Sequence, residues 1–201
     1  MSEANKRALS RMKSISDDRQ QGKFSNMNYF ELFNINPEFS LDLDLLANTY
    51  QRLQQLTHPD KFATASDRDK LLSVQKNAQV NDAYQVLKSP VSRAEYMLGL
   101  RGIELRHEQQ TLQDTQFLMQ QMQWREQLED IDSGTDAEEQ LAELDDEIAL
   151  LIRTQVSSLA EQLALNNEQA NLACADLIRK LKFMYKLRQE IARKDEQLND
   201  F

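Results

Sequence analysis

One cysteine, two histidines, three prolines and four glycines in 201 residues exclude several kinds of protein at once. A lone thiol, Cys174, cannot close an internal disulfide, and within "NLACADLI" it reads as a small buried helical residue. His58 and His107 come without a Cys-x-x-Cys pair, so no zinc-binding spacing exists and no metal is expected. Counting alone leaves a Ser-His-Asp set open, but there is no Gly-x-Ser-x-Gly elbow, phosphate loop or dinucleotide fingerprint. The chain therefore reads as a non-enzyme with no catalytic residue and no cofactor site. No apolar run approaches the roughly 20 residues that cross a bilayer, so no membrane association is expected. The formal net charge is -9, with bases interleaved among acids rather than gathered in a patch, which argues against nucleic acid and for protein partners.

What the chain does have is Leu, Gln, Glu, Ala and Lys, the composition of long helices, with 40% hydrophobic and 28% charged residues. The expected class is all-α, with enough chain for one large or two small cores.

Three parts are distinguishable. Residues 1–25 are polar and of mixed charge, without a sustained apolar stripe, and read as a disordered arm. The arm lacks the apolar core of a secretory signal, and Glu3, Asp17 and Asp18 speak against a mitochondrial presequence, so a cytoplasmic protein is expected. Met27, just before the first ordered-looking run, offers an alternative start.

Residues 26–100 carry three helical signals. "NYFELF" is short and aromatic. In "LLANTYQRLQQLTH" Leu46, Tyr50, Leu53 and Leu56 make one apolar face, opposite Asn48, Gln51, Arg52 and Gln55. A third helix is predicted from about Leu71 to Leu87, with Val80, Ala83, Tyr84 and Leu87 inward and Ser89-Pro90 ending it. Between the second and third lies "LTHPDKF". The helical backbone is disfavoured before proline, and proline lacks an amide hydrogen, so His58 is the expected last helical residue and Asp60 falls on an exposed turn. Taken alone, His58-Pro59-Asp60 is compatible with a plain helix stop.

That segment resembles a J-domain, in which a His-Pro-Asp turn joins two antiparallel helices. The match continues through "NDAYQVLKSPVSRAEY", where Asn81, Ala83, Tyr84, Leu87, Pro90, Arg93, Ala94 and Tyr96 stand at J-domain spacing. Further on, "NYFELFNINPEFSLD", "RAEYML" and "DTQFLMQQMQWREQLEDI" make the chain similar, from about Asn28 to its end, to the HscB-type iron-sulfur co-chaperones. The resemblance implies an N-terminal J-domain, a helical hairpin plus a short helix, followed by a C-terminal three-helix bundle over residues 101–201.

The residues themselves agree with a bundle. Thr135 with Glu138 looks like a capping box. Leu141, Leu144, Ile148, Leu151, Ile152, Leu159 and Leu163 follow it at helical spacing, and the last helix turns Ala173, Leu177, Leu181, Met184, Leu187 and Ile191 inward. In the first bundle helix, Phe117, Trp124, Leu128 and Ile131 suffice for a buried stripe. Leu118 and Met122 are offset from it by about 100°, and Glu126 and Asp130 continue their row. Either one wide face buries both rows, or an apolar patch with an acidic end stays at the surface for a partner.

The family resemblance implies the second. It assigns scaffold binding to Leu118, Met122, Glu126, Asp130 and Phe183, the scaffold being the iron-sulfur protein IscU. It assigns contact with a dedicated DnaK-type chaperone, HscA, to His58, Pro59 and Asp60, with Arg52 and Lys61 as flanking cations. Two departures stand out: Gln123 occupies a position where relatives can carry an acid, and Met122 one where they can carry Leu. The helix before the turn is also weakly basic, which suits a dedicated chaperone. A general J-domain co-chaperone with another client, and a helical adaptor in which the turn is only punctuation, are the competing readings.

Overall fold

The computed structural model describes residues 27–103, 105, 114–132, 134 and 136–199; the arm over 1–25 and the proposed cap at Thr135 lie outside them. Among the described residues there are helices and no strands. The chain divides between Arg93 and Ala94 into two compact units.

In the first unit, α1 (Tyr29–Phe33) opens with a reciprocal cap. The Glu31 amide donates to Asn28 Oδ1 and the Asn28 amide to Glu31 Oε2, each at 2.9 Å, and Asn34 closes the helix in the left-handed region at φ 52°. Helix α2 (Leu43–Thr57) starts where Asp42 accepts the Leu45 amide at 2.9 Å. It ends with His58 as an extended C-cap, one residue earlier than the proline rule suggests, and a short 3-10 turn over Pro59–Phe62 follows. Ser66 then caps α3 (Asp67–Lys88), which starts four residues before the predicted Leu71 because an N-cap can recruit a polar first turn that apolar periodicity does not register.

Leu46 and Leu53 of α2 and Val80, Ala83 and Leu87 of α3 are buried as their spacing predicts. Leu56 departs from the stripe and is exposed, since α2 ends one residue after it. Tyr50 and Tyr84 stack between the helices with centroids 4.1 Å apart. Pro90 does end α3, but it also starts α4 (Pro90–Leu100), a helix the apolar pattern did not suggest, because proline is well suited to a first helical position. Arg93, although charged, is buried in this unit. Its guanidinium donates to the Leu87 carbonyl at 2.9 Å, satisfying an end of α3, and lies over the Phe39 ring; burial pushes its pKa down.

The second unit contains α5 (Thr115–Asp130), α6 (Ala137–Leu165) and α7 (Glu168–Asn199). Asp136 is the N-cap of α6, and it makes no side-chain cap bond. Asn166 turns the chain at φ 47°, and Arg101 holds that end by donating to the Leu163 carbonyl and to Asn171 Oδ1 at 2.7 and 2.8 Å. Further along, Arg188 grips Asp145 through two 2.6 Å bonds, so α6 and α7 are antiparallel. Helix α5 instead runs parallel to α7 at a fixed offset: Asp114 meets Lys180, and Leu128 meets Lys194, each pair 66 residues apart. The α6 stripe is buried at six of its seven predicted positions, with Leu151 only partly covered. On α7 the early buried positions are Ala170, Cys174, Ala175 and Ile178 rather than Ala173 and Leu177, a one-residue rotation relative to the predicted stripe; from Leu181 onward the predicted positions hold. Cys174 is buried, which raises its thiol pKa and leaves it inert.

Candidate functional site

At the tip of the α2–α3 hairpin, His58, Pro59, Asp60 and Lys61 form one compact turn. His58 Nδ1 accepts the Asp60 amide at 3.3 Å, and Pro59 fixes the intervening backbone. The Asp60 carboxylate lies 3.5 Å from the same ring nitrogen. The Lys61 amide donates to the His58 carbonyl at 3.1 Å. The result is a hydrogen-bonded turn whose Asp60 side chain is 90% exposed. Arg52 lies on the exposed face of α2 as its spacing implies.

Below the tip the two helices are tied by a triangle of polar groups. Tyr50 Oη donates to Asn81 Oδ1 at 3.0 Å, and Gln54 Nε2 donates to both, at 2.7 and 2.9 Å. Asn81 passes the chain on to Asn77 at 3.1 Å.

On α5 the open question of one row or two has a clear answer. Trp124 is 1% exposed, packed with Phe117 and Phe183 at 6.1 and 6.3 Å, and its indole N–H donates to Glu147 at 2.9 Å. Leu118 and Met122 are 38% and 71% exposed, and Glu126 and Asp130 continue outward along the same face. The four span about 18 Å of helix. Phe183, half-buried, comes to the flank of α5 from α7, 5.9 Å from Phe117. Two neighbours escaped the pattern analysis. Met119, 60% exposed, lies three residues before Met122 and seven before Glu126, a spacing that places it beside the row. Arg125, the single base of α5, puts its guanidinium 5.5 Å above the Phe183 ring.

Among the described residues no cluster of His, Cys, Asp and Glu could hold a metal ion, and no helix is long and apolar enough to cross a membrane.

Residues 28–96 match the family described as the DnaJ domain, and residues 113–192 the family described as the HSCB C-terminal oligomerisation domain. A J-domain followed by such a bundle defines a J-domain co-chaperone, the class that stimulates the ATPase of a DnaK-type chaperone. The co-chaperone protein HscB homolog of Pseudoalteromonas atlantica is 59% identical over 175 residues, 87% of this chain and all of that one. That of Shewanella halifaxensis is 51% identical over 174 residues, again 87% and all. The solved chaperone HscB from Vibrio cholerae superposes with a TM-score of 0.76 at 47% identity, covering 86% of this chain and 99% of that one. Human co-chaperone HscB gives 0.76 at 27% identity, with 84% and 82% covered. The chain belongs to the HscB family of iron-sulfur co-chaperones.

Proposed function

We propose that this protein delivers the iron-sulfur scaffold IscU to the dedicated DnaK-type chaperone HscA in the cytoplasm. The chaperone-facing part lies within residues 26–100 and the scaffold-facing part within 101–201. Asp60 gives its carboxylate to an arginine of the chaperone's ATPase domain, His58 and Pro59 hold the turn that aims it, and Arg52 and Lys61 contact the same surface as cations. Leu118, Met122 and Phe183 take an apolar element of the scaffold, while Glu126 and Asp130 meet its cations. The protein does no chemistry itself; ATP hydrolysis belongs to the chaperone, whose conformational equilibrium it biases. Carrying both contacts on one chain presents the client at high effective concentration when hydrolysis is triggered.

The observation that carries this reading is the row from Leu118 to Asp130. Exposed large apolar side chains continuous with an acidic flank, on a helix already anchored by Trp124, have no structural task left within the bundle. The test is single-turnover ATP hydrolysis by HscA with this protein, with and without IscU. Stimulation that rises synergistically with scaffold supports both contacts. Stimulation indifferent to IscU keeps the J-domain activity and overturns the client.

A further inference from the structure

Helix α5 has a charge polarity across its exposed face, not only along it. At about 100° per residue, taking Leu118 as zero, Met122 lies near 40°, Glu126 near 80° and Asp130 near 120° to one side, whereas Arg125 lies about 20° to the other. Phe117 and Trp124, which meet Phe183, lie about 100–120° round on Arg125's side. Arg125 thus stands between the apolar row and the Phe183 ring, with Glu126 and Asp130 on the far flank and the exposed Glu129 about 20° to that same side of Leu118.

Several other cations of this unit are committed. Lys180 pairs with Asp114, Arg188 with Asp145, and Lys194 with the Leu128 and Glu129 carbonyls. Arg125 differs: it is exposed, its guanidinium is held over Phe183 at 5.5 Å, and among the described residues its N–H donors meet no acceptor. Stacking on a ring occupies the face of a guanidinium and leaves its edge, with the paired donors that match a carboxylate, directed outward. A lysine could supply the charge but not that planar fork.

We infer that Arg125 receives a carboxylate of the scaffold protein, with Phe183 holding the guanidinium in place for it; this rests on the scaffold reading above. The scaffold surface that fits carries an apolar side chain between a carboxylate on one flank and cations on the other. Because the two flanks are opposite in sign, the contact sets the orientation in which the scaffold docks.

The test is calorimetric titration of purified IscU into the full chain carrying Arg125→Lys, Arg125→Gln or Arg125→Glu, with Met122→Ser as reference. Arg125→Gln is expected to weaken binding about fivefold to tenfold, Arg125→Lys less and Arg125→Glu more, and added salt narrows the gap between wild type and Arg125→Gln. Emission from the single tryptophan, Trp124, which packs on Phe183, stays unchanged in the unbound variants. Equal losses for Gln and Glu with shifted emission would mean that Arg125 only props Phe183, and the inference fails. It fails too if Arg125→Gln binds within about twofold of wild type while Met122→Ser weakens binding at least about tenfold. Indifference of both variants sinks the scaffold reading, and this inference with it.

Discussion

Tyr50 and Asn81, thirty-one residues apart, share a 3.0 Å hydrogen bond that Gln54 completes into a closed triangle joining α2 to α3. The Asn81 oxygen is the shared acceptor, and the Tyr50–Tyr84 stack lies beside it. Such a tie joins the two helices through polar groups, where each helix has only one apolar side. Asn81→Ala leaves two part-buried donors without their acceptor and is expected to cost about 1–3 kcal/mol in urea unfolding. Tyr50→Phe removes one donor and leaves Gln54 its bond to Asn81, so about 0.5–1.5 kcal/mol is expected. If Tyr50→Phe proves the costlier change, the triangle is not organised around Asn81.

Asp60→Asn keeps the shape of the tip and its backbone hydrogen bonds but removes the charge. Stimulation of the chaperone's ATPase is expected to be lost, while the affinity for scaffold in a calorimetric titration stays that of wild type. Loss of both activities together contradicts a division of labour between the two units. Because Asp60 is 90% exposed and its contact with the exposed His58 ring is a surface one, thermal stability should move little, within about 0.5 kcal/mol.

Much of this was legible in the residues, for identifiable reasons. Buried stripes such as Val80, Ala83 and Leu87, or Ile148 and Ile152, follow from helical spacing because a helix needs one apolar face to dock. The turn at His58 was legible because proline acts on the backbone locally. The start of α3 escaped because its local Ser66 cap carries no apolar signal, whereas the one-residue rotation at Cys174 and the burial of a charged Arg93 against Phe39 were set by tertiary contact. At the row from Leu118 to Asp130, spacing defined two faces of α5 but could not say which is covered, since that depends on what α6 and α7 bring to Trp124. The ring beneath Arg125 was illegible for the same reason, because Phe183 comes from another helix.

Met122 offers the cleanest separation of binding from folding. At 71% exposure, replacing it with Ser removes little buried area, so stability should change by less than about 0.5 kcal/mol. Scaffold affinity, by contrast, is expected to fall about tenfold, as for a central apolar contact. Trp124→Ala should behave in the opposite sense, costing about 3–5 kcal/mol of stability because the indole is buried and its N–H is paired with Glu147. A melting curve for each variant beside its titration decides it. A destabilised Met122→Ser, or an equally stable Trp124→Ala, would reverse the assignment of the two faces.

The pairing of Asp114 with Lys180 gives α5 a dependence on acid. Asp114 caps α5 by accepting the Phe117 amide at 3.0 Å and meets the Lys180 ammonium at 2.5 Å. The Lys180 hydrogen bond, followed by the Phe117 amide, holds its carboxyl below the usual range. A carboxylate whose pKa is depressed on folding contributes its full stability above the unfolded value, near 3.9, and loses it as pH falls through the folded value. The contribution should therefore be constant from pH 8 to about 5 and disappear only in stronger acid. Asp114→Asn retains an oxygen for the cap but loses the charge, which isolates the pair with Lys180. Its melting temperature should lie below that of wild type at pH 7, and the two should converge as the pH approaches about 2. A gap that persists unchanged in acid would mean that the variant had damaged the cap instead, and that the charge of Asp114 contributes nothing to holding α5 on α7.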